Sequence, residues 1–324
     1  LEDKALEQAL STWKGDPVEP LAVPHEAFAT KLSAAIPLGD GPDLFIDAHE
    51  RLGDYRGRGL VAPAGDALAG HDGGVSPFHP YTVSAVELDG TAFGVPLSQK
   101  CLALYVNTDL VAEVPADLES IAALASTLPE GVYPLAYQAD SAFYHAAILG
   151  AFGGSYLGPE DAFGFVGEPA ERSLSLVRGL IDSGAIPADA DGALVTQLFR
   201  SGRAAFAISG PWLATDLADA DLSYRVALLP RVRATGQPMR PLLTVEAVML
   251  SPDGAKRPQV RQLARHLAGV DAATVRQSVA RIVSARRDVK LPPDDEYLKV
   301  FTEQAKLAVP MSTRVAMRAT WEPA

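Results

Sequence analysis

Short apolar runs alternate with amphipathic segments along the whole chain, and this alternation constrains the fold more than any other feature. FGVPLS (93–98) and CLALYVN (101–107) have the length and apolar character of buried strands, and helix-like sequence follows at 117–128. Strands that alternate with helices are typical of βαβ units. We therefore predict an α/β fold with mostly parallel strand pairing, in an order that the sequence does not give.

The other predicted elements follow the same two patterns. The predicted helices repeat apolar residues at helical spacing, and they cover 2–13, 25–35, 117–128, 142–150, 168–183, 194–202, 255–269, 272–280 and 293–307. The predicted strands cover 44–46, 93–98, 101–107, 132–138, 204–210, 224–230 and 247–251. The glycine-rich stretch 70–80 is expected to be a mobile loop.

Composition excludes several classes of partner. The 324 residues suffice for two domains, and 48% of them are hydrophobic, as in soluble globular proteins. A net charge of −12 without any Lys/Arg-rich run argues against nucleic acid and against an anionic membrane surface. The single cysteine, Cys101, lies in an apolar run, so we predict a buried thiol. No apolar stretch reaches the roughly 20 residues that a membrane span requires.

Signatures of catalysis and of cofactors are missing from the sequence. It contains no GxGxxG after a strand, no GxxxxGK[ST], no GxSxG and no HExxH. His71, Asp72 and His79 could reach one metal ion, but a polar surface loop is favoured. We therefore predict no cofactor, no metal and no enzymatic activity, while a glycosidase-type carboxylate pair stays open as an alternative.

Two kinds of side chain stand out at the predicted ends of strands, where α/β sheets bind ligands. Asp47, His49, Glu50 and Arg51 follow the strand LFI, and such groups bind hydroxyls through charge-assisted hydrogen bonds. A helix cap with a surface ion pair is the alternative interpretation.

The second kind is aromatic. Phe143 and Tyr144 are adjacent on a helix and point about 100° apart, so one can face the core and the other a cleft. Trp212 follows a Gly-Pro corner at the end of a strand, and Trp321 has no informative local context. Core packing is the alternative for each ring. Aromatic faces together with charged groups suit a polyhydroxylated ligand, because sugar rings offer both a C–H face and hydroxyls.

Four collinear segments carry a family resemblance. They are GDGPDLFIDAHERLGDYRGRGLVAP (41–63), FGVPLSQKCLALYVNTDLV (93–111), LFRSGRAAFAISGPWLA (198–214) and YRVALLP (224–230). Together with the closing MSTRVAMRATWEPA, the chain resembles the extracellular solute-binding proteins of bacterial sugar importers, most closely their maltose- and maltodextrin-binding members.

This resemblance implies two α/β lobes joined by a hinge, with a ligand cleft between the lobes that closes over the sugar. The first lobe would comprise 1–98 and 247–292, the second 101–243 and 296–324, with hinge crossings near 98–101, 243–247 and 292–296. It also implies a monomer on the periplasmic or extracellular side of the envelope that delivers its sugar to the permease of an ATP-binding-cassette importer. The abrupt chain ends lead us to expect a tether or a fusion to a membrane subunit.

The resemblance also assigns the site. Glu50 and Arg51 match residues that bind sugar hydroxyls, Phe143 and Tyr144 match an aromatic pair, and Trp212 and Trp321 match stacking rings. Asp47 stands where the maltose-binding members have Trp, and Lys100 stands at an acidic position. The predicted carbohydrate-binding residues are Asp47, Glu50, Arg51, Lys100, Phe143, Tyr144, Trp212 and Trp321.

Because Asp47 and Lys100 differ from the residues that the resemblance leads us to expect, other functions stay open. An α-glucoside such as maltose or maltodextrin is the predicted ligand. The alternatives are trehalose, a polyol or an anionic compound on the same fold, a degenerate regulatory domain of a permease, and a glycan-active enzyme.

Overall fold

The computed structural model describes residues 2–65, 68 and 76–320. Its helices are α1 Glu2–Ser11, α2 His25–Ala35, α3 Leu52–Gly57, α4 Pro80–Ala85, α5 Leu118–Ala123, α6 Ala142–Ala151, α7 Gly167–Asp182, α8 Gly192–Arg200, α9 Trp212–Asp216, α10 Pro258–Leu267, α11 Val270–Ala280, α12 Glu296–Leu307 and α13 Ala316–Ala319. Its strands are β1 Leu44–Ala48, β2 Glu87–Leu88, β3 Thr91–Ala92, β4 Val95–Lys100, β5 Ala103–Asn107, β6 Tyr133–Ala136, β7 Ala204–Ser209, β8 Tyr224–Ala227, β9 Arg231–Val232, β10 Gln237–Pro238, β11 Leu242–Leu250 and β12 Val309–Pro310.

The chain forms two compact units, each assembled from separate stretches of sequence. Unit 1 comprises Leu1–Gln99, Thr244–Leu291 and Pro310–Val315, and unit 2 comprises Lys100–Leu243, Pro292–Val309 and Ala316–Ala324. The predicted second lobe includes 310–315, whereas this segment belongs to unit 1. The carbonyl of Met311 accepts a hydrogen bond from the buried His49 side chain of unit 1, and this bond helps to hold the segment there.

The core of unit 1 lies on a sheet built around the long strand β11. β1 pairs antiparallel with β11, from Leu44 opposite Leu250 to Ala48 opposite Glu246, and β4 also pairs with β11. The amphipathic helix α10 buries Val260, Leu263, Ala264 and Leu267 in the same core. β1 ends at Ala48, so its polar neighbours are presented directly after the sheet.

Unit 2 contains a four-stranded sheet in the order β6-β7-β5-β8. β7 is buried at every position, as its sequence AAFAIS predicts. Its neighbour β5 is buried throughout as well, and both contribute to a core that includes Leu104, Phe206 and Ile208. Helix α6 packs Ala147 and Ile148 into this core.

The prediction of mostly parallel pairing is wrong. β6 and β7 are parallel, whereas β5 runs antiparallel to both β7 and β8, and β1 runs antiparallel to β11. The parallel pair is the one whose strands are joined by helices, α6 to α8, as the βαβ rule requires. The antiparallel partners lie roughly a hundred residues or more apart in sequence, so local alternation carries no information about their direction.

Most predicted elements occur with shifted ends. The helix predicted at 25–35 is found at His25–Ala35, and that at 142–150 extends to Ala151. The helix predicted over 255–269 begins at Pro258, because a short 3-10 turn precedes it. Residues 70–75 of the predicted mobile loop lie outside the described residues. Within the described part of the chain, no helix has the length and apolar character needed to cross a membrane.

Candidate ligand-binding site

Trp212 is presented at a sharp corner of unit 2. β7 ends at Ser209, Gly210 and Pro211 turn the chain, and α9 begins at Trp212 itself. Pro211 has φ −57° and ψ −24°, which suits the residue that leads into a helix. The indole is 40% exposed, which is high for a side chain of this size.

Phe143 and Tyr144 lie beside this corner at the start of α6. The ring centroids of Phe143 and Trp212 are 6.4 Å apart, and those of Phe143 and Tyr144 are 5.8 Å apart at 79°. Tyr144 is buried and its ring contacts that of Tyr137, whereas Phe143 is half-buried. We call Phe143, Tyr144 and Trp212 the aromatic surface of unit 2.

The Tyr144 hydroxyl is a buried polar group of the aromatic surface. Burial raises the pKa of Tyr144, and the neighbouring side chains of Ser209 and Trp212 oppose that rise.

In unit 1, Asp47 uses its carboxylate within the protein. Its Oδ2 accepts a hydrogen bond from the Tyr55 hydroxyl at 2.5 Å and lies 3.5 Å from Arg51 Nη1. Its Oδ1 accepts from the backbone N–H of Ala48 at 2.8 Å. These contacts make Asp47 an organiser of the turn after β1, and they hold Arg51 beside it.

His49 is a buried neutral imidazole in a structural role. The backbone N–H of Val245 donates to Nδ1 at 3.0 Å, so the proton resides on Nε2, which lies 2.9 Å from the Met311 carbonyl oxygen. Burial lowers the pKa of His49 to about 4. The 3.6 Å approach of Glu50 Oε2 to Nδ1 is consequently not an ion pair at neutral pH.

Of the carboxyls Asp47 and Glu50, Glu50 is the one that has an oxygen without a hydrogen-bond partner. Its Oε2 is buried and has no hydrogen-bond partner. Burial raises the pKa of Glu50 to about 7, and the negative charges of Asp47 and Glu246 add to this effect. A buried carboxyl oxygen without a hydrogen-bond partner is costly, so Glu50 is the unsatisfied carboxyl of this cluster.

The remaining predicted residues differ in what the structure shows. Lys100 is half-buried, ends β4 and is the first residue of unit 2. Trp321 lies outside the described residues, as do His71 and Asp72 of the alternative metal site.

Among the described residues, no group of three or more His, Cys, Asp and Glu side chains could hold a metal ion. The prediction of a buried thiol at Cys101 is confirmed, since burial raises its pKa to about 12.

Sequence reasoning missed the residues that support the site. Tyr55 binds Asp47, while Tyr105 and Tyr297 donate hydrogen bonds to the carbonyls of Gly210 and Pro211. Tyr55 lies eight residues after Asp47 and could be suspected from that spacing. No local signal links Tyr105 or Tyr297 to a corner that lies roughly a hundred residues away along the chain.

Known proteins share both sequence and fold with the chain. It is 27% identical over 211 residues to the maltotriose-binding protein of Pyrococcus abyssi, which covers 64% of this chain and 46% of that protein. It is 24% identical over 306 residues to the galactooligosaccharide-binding protein of Bacillus subtilis, covering 89% of this chain and 71% of the relative. The chain thus spans about half the length of the first of these relatives.

A solved structure confirms the fold. A cyclo/maltodextrin-binding protein in complex with maltotetraose superposes with a TM-score of 0.87 over 99% of this chain and 85% of that one, at 24% identity. This likeness confirms the predicted α/β fold of periplasmic binding proteins. The named relatives are binding proteins, which supports the prediction that the chain is not an enzyme.

The model of one protein family matches most of the sequence. The match covers residues 17–299 and is described as bacterial extracellular solute-binding protein. It confirms the resemblance on which the predicted site was based. This chain belongs to the family of bacterial extracellular solute-binding proteins.

Proposed function

We propose that this chain is the substrate-binding receptor, or receptor domain, of an ATP-binding-cassette sugar importer. The observation that carries the proposal is the aromatic surface of unit 2, where Trp212 is 40% exposed and lies beside Phe143. Such a surface suits the apolar C–H face of a sugar ring. The saccharide names of the two relatives support the same class of ligand.

Within that class we propose an α-glucoside such as maltose or a maltodextrin. Glu50, Arg51 and Lys100 would bind sugar hydroxyls, and Trp321 would add a second stacking ring. A specific observation favours a different saccharide or an anionic ligand as the second candidate. The carboxylate of Asp47 is engaged by Tyr55 and Arg51, so position 47 offers no stacking face and hydroxyl recognition differs from that of the maltose-binding members.

The partner and the location belong to the same proposal. Transmembrane permease subunits, covalently fused or separate, would take up the sugar after the lobe closure that the resemblance implies. The family description places such proteins outside the cell membrane. We propose that the receptor acts as a monomer on that side of the envelope.

A ligand panel tests the proposal. A sugar that binds only the folded protein raises the melting temperature, by the equivalent of about 2.7 kcal/mol at a hundredfold excess over Kd. We expect this rise with maltotriose, and the panel includes a galactotriose, trehalose, sorbitol and a sugar phosphate. A response to the sugar phosphate alone would favour the second candidate. The absence of any response would contradict the receptor proposal, and oligosaccharide cleavage would contradict the absence of catalysis.

A pair of variants locates the binding surface. Trp212→Ala should lower the affinity for the responding sugar by at least about tenfold, because a stacking face is lost. Phe163→Ala is the matched control, since Phe163 is an aromatic ring of the same unit with a similar exposure of 37%. Isothermal titration calorimetry measures both. Equal affinities for the two variants would place the sugar elsewhere.

A further inference from the structure

The Trp212 indole packs directly against Gly210, two residues before it, at the corner after β7. A Cβ atom at position 210 would lie 2.1 Å from Cζ3 of Trp212, so the ring packs flat over the Gly210 backbone. No other residue type would allow this approach. The orientation of the exposed ring therefore depends directly on the orientation of the peptides at Gly210 and Pro211.

Two tyrosine hydroxyls donate hydrogen bonds to the carbonyls of those peptides. Tyr105 of β5 donates to the Gly210 carbonyl at 2.8 Å, and Tyr297 of α12 donates to the Pro211 carbonyl at 3.2 Å. Hydroxyl groups from two separate elements thus meet at two consecutive carbonyls, immediately before Trp212.

The two tyrosines are held rigidly themselves. Tyr105 is completely buried and Tyr297 is 8% exposed. Both rings contact Phe301, with centroid distances of 6.3 Å for Tyr105 and 4.8 Å for Tyr297. Tyr105 also packs against Phe199 and Tyr224. A donor fixed in a close-packed core cannot follow a moving acceptor, so the corner has to adopt one geometry.

We propose that Tyr105 and Tyr297 are positioning residues that aim the Trp212 indole at the ligand. Neither is assigned a contact with sugar, and they act through the carbonyls of Gly210 and Pro211. The inference rests on the proposed sugar-binding function for its effect on affinity. Its structural part, the fixed orientation of Trp212, does not depend on the identity of the ligand.

The test removes each hydroxyl and keeps its ring. Tyr105→Phe and Tyr297→Phe are compared with the control Tyr133→Phe, which lies on β6 opposite Ala204, at the other end of β7 from the corner. The protein is labelled with 5-fluorotryptophan, whose three fluorine resonances are assigned with single Trp→Phe variants. Fluorine spectra are recorded without ligand, and maltotriose affinity is measured by calorimetry.

We expect both corner variants to shift or broaden the Trp212 resonance while that of Trp13 stays in place. Each should weaken maltotriose binding by about three- to tenfold, as the loss of one hydrogen bond implies. The control should change neither quantity. An unchanged Trp212 resonance in Tyr297→Phe would overturn the inference, and so would a shifted resonance with unchanged affinity. If the parent protein binds no maltotriose, the proposed ligand fails, while the fluorine spectra still decide whether the tyrosines orient Trp212.

Discussion

At the scale of single residues, the two predicted groups of binding side chains are prepared in different ways. The aromatic surface is ordered by contacts among its own members, since the Phe143 ring contacts the rings of both Tyr144 and Trp212. At the end of β1 the Asp47 carboxylate is already engaged by partners within the protein, and in the turn that follows Glu50 Oε2 has no hydrogen-bond partner. Among the carboxyls Asp47 and Glu50, only Glu50 therefore has a buried oxygen without a hydrogen-bond partner.

The titration of Glu50 predicts a pH-dependent affinity. Its pKa is raised to about 7, so the carboxyl changes from mostly protonated to mostly ionised between pH 6 and 8. If sugar hydroxyls donate to the ionised form, maltotriose affinity rises by up to about tenfold over this range, following the fraction of competent protein. Glu50→Gln should remove the dependence, and Asp40→Asn, an exposed site of the same unit, should preserve it. A flat profile in the parent protein, measured by calorimetry, would exclude Glu50 from hydroxyl binding.

At the scale of elements, the two glycines of α3 have different surroundings. Gly53 in α3 faces the segment 310–315 of unit 1, and a Cβ there would lie 2.0 Å from the Thr313 carbonyl oxygen. Gly57, at the end of the same helix, has open space around its Cβ direction. We therefore expect alanine to lower the stability of the protein at Gly53 but not at Gly57.

Alanine substitutions at these glycines test the packing of the 310–315 segment. Gly53→Ala should lower the free energy of unfolding by about 1–3 kcal/mol, because the backbone has to shift. Gly57→Ala should leave it unchanged or raise it by up to about 1 kcal/mol, because alanine restricts the unfolded chain. Urea unfolding of both variants measures the difference. A Gly53→Ala variant as stable as Gly57→Ala would show that the segment is not packed against α3.

Elements were the level at which the sequence was most informative. α2 and α6 were predicted almost to the residue, because the hydrogen bonds of a helix join residues that are close together in the sequence. Strand direction was not predictable, since the partners of β5 and β11 are distant in sequence. Of the candidate site, the aromatic surface came from a corner motif and the resemblance. The supporting Tyr105 and Tyr297 did not, because their role arises only when β5 and α12 are folded beside the corner.

At the scale of the whole molecule, each unit contains a buried neutral histidine. His49 lies in unit 1, and His145 lies in unit 2, where it is 3% exposed and its Nε2 lies 3.0 Å from Ser173 Oγ. Burial lowers the pKa of each to about 4. Both units therefore carry a group that must gain a charge when the protein is acidified.

Acid should destabilise unit 2 through His145, whereas the opposite pKa shifts of His49 and Glu50 offset each other in unit 1. A histidine whose folded pKa is lowered contributes stability above its unfolded pKa of 6.5, and this contribution is lost as the pH falls towards 4. The loss amounts to about 3 kcal/mol per histidine at most. Glu50 opposes it in unit 1, because its raised pKa makes unfolding harder as the pH falls from 7 towards 4.5. Denaturant unfolding of the parent and of His145→Gln between pH 7 and 4 measures these effects, and equal slopes would rule out His145.

The engagement of Asp47 couples position 47 to its neighbours. An Asp47→Trp change would remove the acceptor of the Tyr55 hydroxyl and the counter-charge of Arg51 in one step. A stacking ring can therefore be engineered at position 47 only together with changes at positions 55 and 51, so a redesign of sugar recognition here requires several substitutions at once.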